Sequence, residues 1–395
     1  MKKIATDSRP AGPRPWYDPR IRSLVFQVVT IAVVFWIGWT LIDNTLSNMQ
    51  SRGISTGFGF LDESAGFGII MHLIPYDATM SYGRTFFVGL LNTLLVSVMG
   101  VIAATFLGFI IGVARLSSNW LVAKLALMYI EVIRNIPLLL QIFFWYFAVL
   151  RNLPSPRQSM TFGEWIFLNN RGLYLPQPLA QDGFGLVTGA LLVAIAGIFV
   201  LRAWARKRQL ATGQTFPVFA VSAGLLVGLP VLAYFLAGQP LEWVTPELKG
   251  FNFKGGFTLI PELAALWVAL SLYTASFIAE IVRSGILSVS KGQTEAAKAL
   301  GLPNTLTLRL VVIPQAMRVI IPPLTSQYLN LVKNSSLATA IGYPDLVAVF
   351  MGTTLNQTGQ AVEVVAITMA VYLTISLLIS LFMNFYNRAV AIKER

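Results

Sequence analysis

Eight long apolar runs divide this chain, at 24–42, 86–113, 136–150, 185–201, 216–237, 259–282, 319–337 and 364–385. Runs of this kind approach the roughly 20 residues that a helix needs to cross a bilayer. Hydrocarbon offers no water to backbone N–H and C=O groups, so each run must close its own hydrogen bonds as a helix. The predicted fold class is all-α: a polytopic membrane protein with about eight transmembrane helices. Only 12% of the 395 residues are charged, where a soluble domain carries about a quarter. The absence of cysteine removes disulfides and thiol chemistry.

A net charge of +12 would suit nucleic acid, but its distribution excludes that use. With the amino terminus inside, cytoplasmic segments hold 21 of the 29 Lys and Arg, external segments hold 7, and Lys333 lies within a run. This positive-inside bias predicts a multi-pass protein with both termini cytoplasmic, and basic surfaces drawn to anionic lipid. Residues 1–22 contain Asp7 and four prolines ahead of a full-length run. They read as a cytoplasmic tail and a retained anchor, not a cleaved signal.

The organisation that follows is a tail over 1–22, then a first helix and a long external loop over 23–85. Core segments at 86–150 and 257–387 flank a region of different character at 151–256, and a cytoplasmic tail closes the chain at 388–395. In the long loop, Gly57-Phe-Gly-Phe60 reads as a flexible turn. In the second run Gly100, Ala104, Gly108 and Gly112 recur at every fourth position, a ridge of small residues that lets another helix approach closely. The region 151–256 contains two external loops and two runs without charge, joined by the basic link Arg202 to Arg208. It reads as an accessory helical hairpin lying toward lipid, and no sustained strand-like alternation appears.

Enzymatic motifs are absent. His72 is the one histidine, and no phosphate-binding Gly-rich loop occurs. Polar groups inside the runs are costly near the bilayer centre and mark interiors or pathways. Glu280 and Arg283 lie on one helical face at i and i+3, suited to a structural ion pair. Gln327, Asn330 and Asn334 share a face in the seventh run, beside Lys333, Ser335 and Ser336. Pro322-Pro323 should break the regular start of that run. Asn92 and Thr93, near the outer end of the second run, are expected to face the same cavity. Before the third run, Glu131 and Arg134 precede Pro137, a residue well tolerated at a helix start.

Between the sixth and seventh runs, residues 294–300 are mostly strong helix formers. Gly301 suits the left-handed residue that ends a helix, and Pro303 follows. Glu295-Ala296-Ala297, three residues, Gly301 and then Val311-Val-Ile-Pro314 resemble the EAA loop of ABC importer membrane subunits. Further runs resemble the polar amino-acid branch of those permeases: Arg134-Asn-Ile-Pro-Leu-Leu-Leu-Gln141, Tyr273 to Arg283, Gly292 to Gly301, Pro314 to Arg318 and Lys333 to Ala338. The resemblance covers about 86–150 and 259–387.

It implies a type I ABC importer permease core for L-amino acids, with Gly292, Glu295, Ala296, Ala297, Gly301 and Pro314 of the loop at 284–318 coupling to an ATPase. It also implies ATPase subunits that carry the ATP and Mg, a second permease subunit and a periplasmic solute-binding protein, with no cofactor on this chain. Asn92, Thr93, Gln327, Asn330, Lys333, Ser335 and Ser336 are candidates for the substrate pathway. The added first run, long loop and hairpin resemble the Q-type permease subunit of the general L-amino-acid transporter of Gram-negative bacteria. That points to the inner membrane and to a heterodimer. Another small zwitterion such as an opine is an alternative cargo. An ion-driven secondary transporter and a non-transporting sensor are alternative classes.

Overall fold

Among the described residues, seven helices long and apolar enough to cross a bilayer, with one bent pair, account for the apolar runs. The computed structural model describes residues 18–390 apart from 52, 54 and 55. The tail expectations for 1–17 and 391–395 lie outside the described residues. In chain order the helices begin with α1 (Pro19–Ser51), α2 (Tyr82–Ala114), α3 (Trp120–Asn135) and α4 (Leu138–Phe143). A π turn at Phe144–Val149 and a 3-10 turn at Leu150–Asn152 prolong α4. There follow α5 (Phe184–Thr212), α6 (Val218–Leu236), α7 (Pro261–Leu287), α8 (Lys291–Ala299) and α9 (Asn304–Thr307). A π turn at Leu308–Val312 leads into α10 (Ile313–Asn334), and α11 (Leu355–Thr358) and α12 (Ala361–Val390) complete the set.

The helical core turns on small residues. A Cβ placed on Gly108 would lie 2.6 Å from Ile278 of α7, and one on Gly112 would lie 2.7 Å from the Ala279 carbonyl oxygen. The ridge therefore presses α2 against α7, and both helices run in the same direction. α10 runs against them, with its Leu331 side chain over Gly100 and its Ile320 over Gly285. Such contact replaces lipid with dense packing, the main source of helix association in a bilayer. By contrast α5 and α6 pack chiefly on each other, and α1 is exposed along most of its length.

Helix α3 bends by 104° into α4 at Ile136-Pro137. Pro137 has no N–H for the carbonyl of Ile133. The buried Gln141 side chain supplies the missing donors: its Nε2 donates to the Ile133 and Ile136 oxygens, each at 2.9 Å. The third apolar run thus belongs to a bent pair that begins at Trp120, ahead of the predicted start at 136.

Pro322-Pro323 does not break the seventh run, because α10 is continuous through both prolines. Helices in membranes tolerate the lost bonds when neighbouring helices brace them, and Ile320, Ile321 and Leu324 around the pair are buried. The all-α core also carries a cap that the sequence did not reveal. Between 160 and 259 lie eight strands of three or four residues: β1 (Met160–Phe162), β2 (Ile166–Asn169), β3 (Gly172–Leu175), β4 (Gln177–Ala180), β5 (Leu241–Val244), β6 (Glu247–Lys249), β7 (Asn252–Lys254) and β8 (Phe257–Leu259). They pair as an antiparallel sheet in the order β1-β2-β3-β8 and as two ribbons, β4-β5 and β6-β7. Strands this short cannot display a readable alternation.

Gly57-Phe-Gly-Phe60 is also more than a flexible turn. Phe60 is 2% exposed and packs near Tyr82 and Phe350. It pins the long loop to the start of α2. The Gly57 N–H donates to Glu363 of α12 at 2.6 Å.

Gly108→Ala should lower the melting temperature of the detergent-purified protein, since overpacking a tight contact costs about 1–3 kcal/mol. Gly224→Ala in α6, with open space around it, should leave the melting temperature unchanged or raised. An equal response from both variants would contradict a tight α2–α7 contact.

Candidate functional site

At one end of the molecule, α8 projects between α7 and α9. It closes with two backbone bonds, Gly301 N–H to the Lys298 oxygen at 2.9 Å and Leu302 N–H to the Ala297 oxygen at 3.1 Å. Gly301 stands at φ +75, the left-handed conformation that such a closure requires and that glycine adopts at little cost. Ala297 is the buried residue of α8, which meets α9 and the π turn Leu308–Val312. Gly292, Glu295 and Ala296 face outward, and Leu300 is 82% exposed. Pro314 sits half-buried in the first turn of α10. Next to it, Gln315 Nε2 donates to Gln293 Oε1 of α8 at 3.3 Å. The short helix is thereby joined to α10 by chain and by side chain.

Glu280 and Arg283, one turn apart near that end of α7, are paired. Arg283 Nε donates to both carboxylate oxygens at 3.0–3.1 Å, and Nη2 donates to Oε1 at 2.5 Å. Two parallel bonds of this kind are the strong form of the interaction. Arg134 lies over the Phe277 ring at 4.9 Å, within electrostatic reach of Glu280.

The polar residues of the seventh run separate into groups. Lys333 and Ser336 line a cleft of about 330 Å³ together with Val347, Met351, Thr368, Met369 and Tyr372. The Lys333 ammonium has no carboxylate partner among the described residues. Asn330 is exposed and Gln327 half-buried on the same helix, but neither lines this cleft. Ser335 is buried, with its hydroxyl donating to the Val332 oxygen at 2.7 Å.

Asn92 and Thr93 do not open onto the cleft. Both are fully buried. Asn92 Nδ2 donates to the Met71 and Pro344 oxygens at 2.9 Å each, and its own carbonyl accepts from the Tyr343 hydroxyl at 3.0 Å. Thr93 Oγ1 accepts the Leu346 N–H at 2.9 Å. The pair clamps the segment 343–346 onto α2 where Gly89 lets that backbone approach.

Sequence reasoning also passed over Asp345, Thr368 and Tyr372. Asp345 is buried, and its Oδ1 accepts the Ala348 N–H at 2.9 Å. Burial pushes its carboxyl up to about 7, against the backbone bonds from Ala348 and Val347 that pull it down. The Tyr372 hydroxyl lies among Ser335, Thr93 and Asp345. A lone aspartate in the short connector Gly342-Tyr-Pro-Asp345 gives no sequence signal of burial. Only the fold brings 93, 335, 345 and 372 together.

The chain matches, over residues 104–392, the family described as binding-protein-dependent transport system inner membrane component. It is 58% identical to the putative amino-acid ABC transporter permease protein YhdX of Escherichia coli, over 97% of this chain and 98% of that one. It is 51% identical to the general L-amino acid transport system permease protein AapQ of Rhizobium johnstonii, over the full length of both. A glutamate/glutamine/aspartate/asparagine transport system permease protein, BztB of Rhodobacter capsulatus, is 44% identical over 96% of each chain. The full-length match to AapQ includes the first helix, the long loop and the hairpin on which the Q-type resemblance rests.

Thr93→Val should destabilise the protein by about 1–3 kcal/mol, the cost of a buried N–H left without an acceptor. Ser336→Ala, which loses only a bond within its own turn, should stay within about 0.5 kcal/mol of the unaltered protein. Thermal unfolding of both variants measures the contrast, and equal melting temperatures would contradict the clamp.

Proposed function

The chain belongs to the family of binding-protein-dependent transport system inner membrane components, and we propose that it is the membrane permease subunit of an ATP-driven importer of L-amino acids. The observation that carries the mechanism is the shape of α8: a short, stiffly closed helix, outward-facing, tied to α10. In this reading the α8 end is cytoplasmic, as are both termini, and the strand-bearing end faces the periplasm. The basic bias of the segments at the α8 end supports that orientation.

An ATPase subunit holds α8 by Glu295, Ala296 and the exposed Leu300, with ATP and Mg bound on that partner. Its motion moves α8 as a rigid knob. The π turn and the Gln293–Gln315 bond pass the movement to α10, whose far end carries Lys333. Energetically, such a device needs two packed arrangements with a barrier between them, not a gradual bend. The Lys333 ammonium, without a carboxylate of its own, faces the amino-acid carboxylate during passage, and Asn330 and Gln327 border the same path. The Glu280–Arg283 pair holds the lower part of α7 together. A solute-binding protein delivers the cargo at the strand-bearing end, and a second, related permease subunit completes the pathway. The region 151–256 is an insertion specific to this longer type of subunit.

Gly301→Asp places a side chain at φ +75, a conformation that costs an ordinary residue about 1–3 kcal/mol. The variant should reach the membrane in normal amount and retain ATP hydrolysis by the complex, while uptake falls at least roughly tenfold, a coupling loss of about 1.4 kcal/mol. Normal uptake would sink the coupling role. Separately, Lys333→Ala should raise the KM for amino-acid uptake roughly tenfold, again about 1.4 kcal/mol, or shift the preference among amino acids. Unchanged kinetics for every amino acid tested would make Lys333 structural.

A further inference from the structure

The strand cap forms a wall of a second cavity, at the opposite end from α8. Its volume is about 390 Å³, within the range of small-molecule sites, roughly 300–1,000 Å³. Its polar lining is Arg151, Arg171, Tyr174, Asn252, Thr258 and Glu262. Three separate stretches of chain supply these groups: the turn that ends the bent pair, the inserted strands, and the first turn of α7.

The lining is held in place. Arg171 occupies the β2–β3 turn, where its N–H donates to Asn169 Oδ1 at 2.8 Å. Gly172 follows at φ +136, and a Cβ there would lie 2.5 Å from the Leu259 oxygen. That close approach seats β3 flush on β8 and sets Arg171 at the rim. Tyr174 is 2% exposed, and its hydroxyl donates to Asn252 Oδ1 at 2.8 Å. Its ring lies 5.0 Å from Phe253, which is itself 4.5 Å from Phe167. Burial raises the Tyr174 phenol above its ordinary value, so the group stays neutral. On the other side Arg151 lies over the Tyr146 ring at 5.9 Å, and the Tyr146 hydroxyl donates to Glu262 Oε1 at 2.8 Å.

The charges in this frame do not pair with one another. Neither guanidinium has a carboxylate within salt-bridge distance among the described residues, and Asn252 Nδ2 has no acceptor among them. Two forked cationic donors therefore share a cavity with one separate carboxylate. Guanidinium groups match carboxylates through two parallel bonds, and a carboxylate such as Glu262 is the natural partner of an ammonium. An inorganic anion would leave the Glu262 carboxylate with the Tyr146 hydroxyl and no cation.

We infer that this cavity is a receiving site for an α-amino acid as its zwitterion, with the carboxylate on Arg151 and Arg171 and the ammonium toward Glu262. The inference rests on the importer reading for the cargo and for the outward position of this end. The inserted strands thereby contribute directly to transport, since they furnish Arg171, Tyr174 and Asn252 to a site through which cargo passes before it reaches the Lys333 cleft.

The test uses the assembled transporter in nanodiscs, without binding protein or ATP. Equilibrium binding is measured for a panel of radiolabelled L-amino acids and for their α-carboxamides. The Lys333→Ala form is used throughout so that the cleft does not contribute. The carboxamides should bind at least roughly tenfold more weakly than the acids. The double substitution Arg151→Gln with Arg171→Gln should weaken amino-acid binding by a similar factor, and Arg151→Lys with Arg171→Lys should restore part of it. Arg157→Gln, at an exposed arginine over the Phe251 ring and outside the cavity lining, serves as a control for lost positive charge on the cap and should keep most of the binding. Import by the unaltered transporter with binding unchanged in the Gln double variant would overturn this inference and leave the importer reading intact. Loss of binding-protein-dependent uptake alone, with direct binding intact, would also overturn it and assign the arginines to an acidic surface of the binding protein. No uptake of any amino acid by the unaltered transporter would overturn the importer reading, and this inference with it.

Discussion

Contact between α2 and α7 at Gly108 and Gly112 sets the position of the helical core. With glycine at those points, Ile278 and Val282 reach the α2 backbone, and side chains larger than hydrogen have no room. Lipid tails are as apolar as leucine, so only such close, dense packing favours helix against helix over helix against lipid. Once α2 and α7 are locked, α10 can lie antiparallel across both, with Leu331 on Gly100 and Ile320 on Gly285. Helix α7 then serves as a rod of 27 residues, about 40 Å at 1.5 Å per residue. Glu262 is fixed at one end of it and α8 begins just past the other.

The features legible in the sequence were those that a single stretch of chain can encode. Apolar length located the helices, because span is a local property. Spacing of small residues located the tight ridge, and the run of helix formers before Gly301 located α8 and its stop. The features that stayed hidden depend on distant partners. Asn92 and Thr93 looked like path residues because polar groups inside an apolar run are costly. Their cost is offset by carbonyls and an N–H from 71, 344 and 346, which no local pattern announces. The continuity of α10 through Pro322-Pro323 depends likewise on burial by neighbouring helices, and the bend at Pro137 depends on a glutamine four residues on that replaces lost donors. Strands of three or four residues carry too few positions for a period to appear.

The region 151–256 unites two kinds of surface. Its hairpin of α5 and α6 is apolar outside, free of acidic residues, and basic at one turn from Arg202 to Arg208, as suits a helix pair set in lipid with its basic end near anionic head groups. Its strands, in contrast, join the core: β3 pairs with β8, which leads directly into α7. The insertion is thus anchored on the most buried helix of the molecule while its helices stand apart. Polar side chains gather where the strands meet that helix, and the mixed chemistry of this junction separates it from the apolar hairpin beneath.

In the proposed importer, α8 is the seat for a partner that hydrolyses ATP. The most direct test is to purify the full-length chain by affinity from its native membrane in mild detergent and to identify every chain that stays bound. An ATPase subunit and a second permease subunit should be recovered, with the ATPase lost when Glu295 and Leu300 are replaced by bulky or oppositely charged residues. Recovery of the folded chain alone, with no ATPase under conditions that preserve its helical content, would contradict a coupling role for α8.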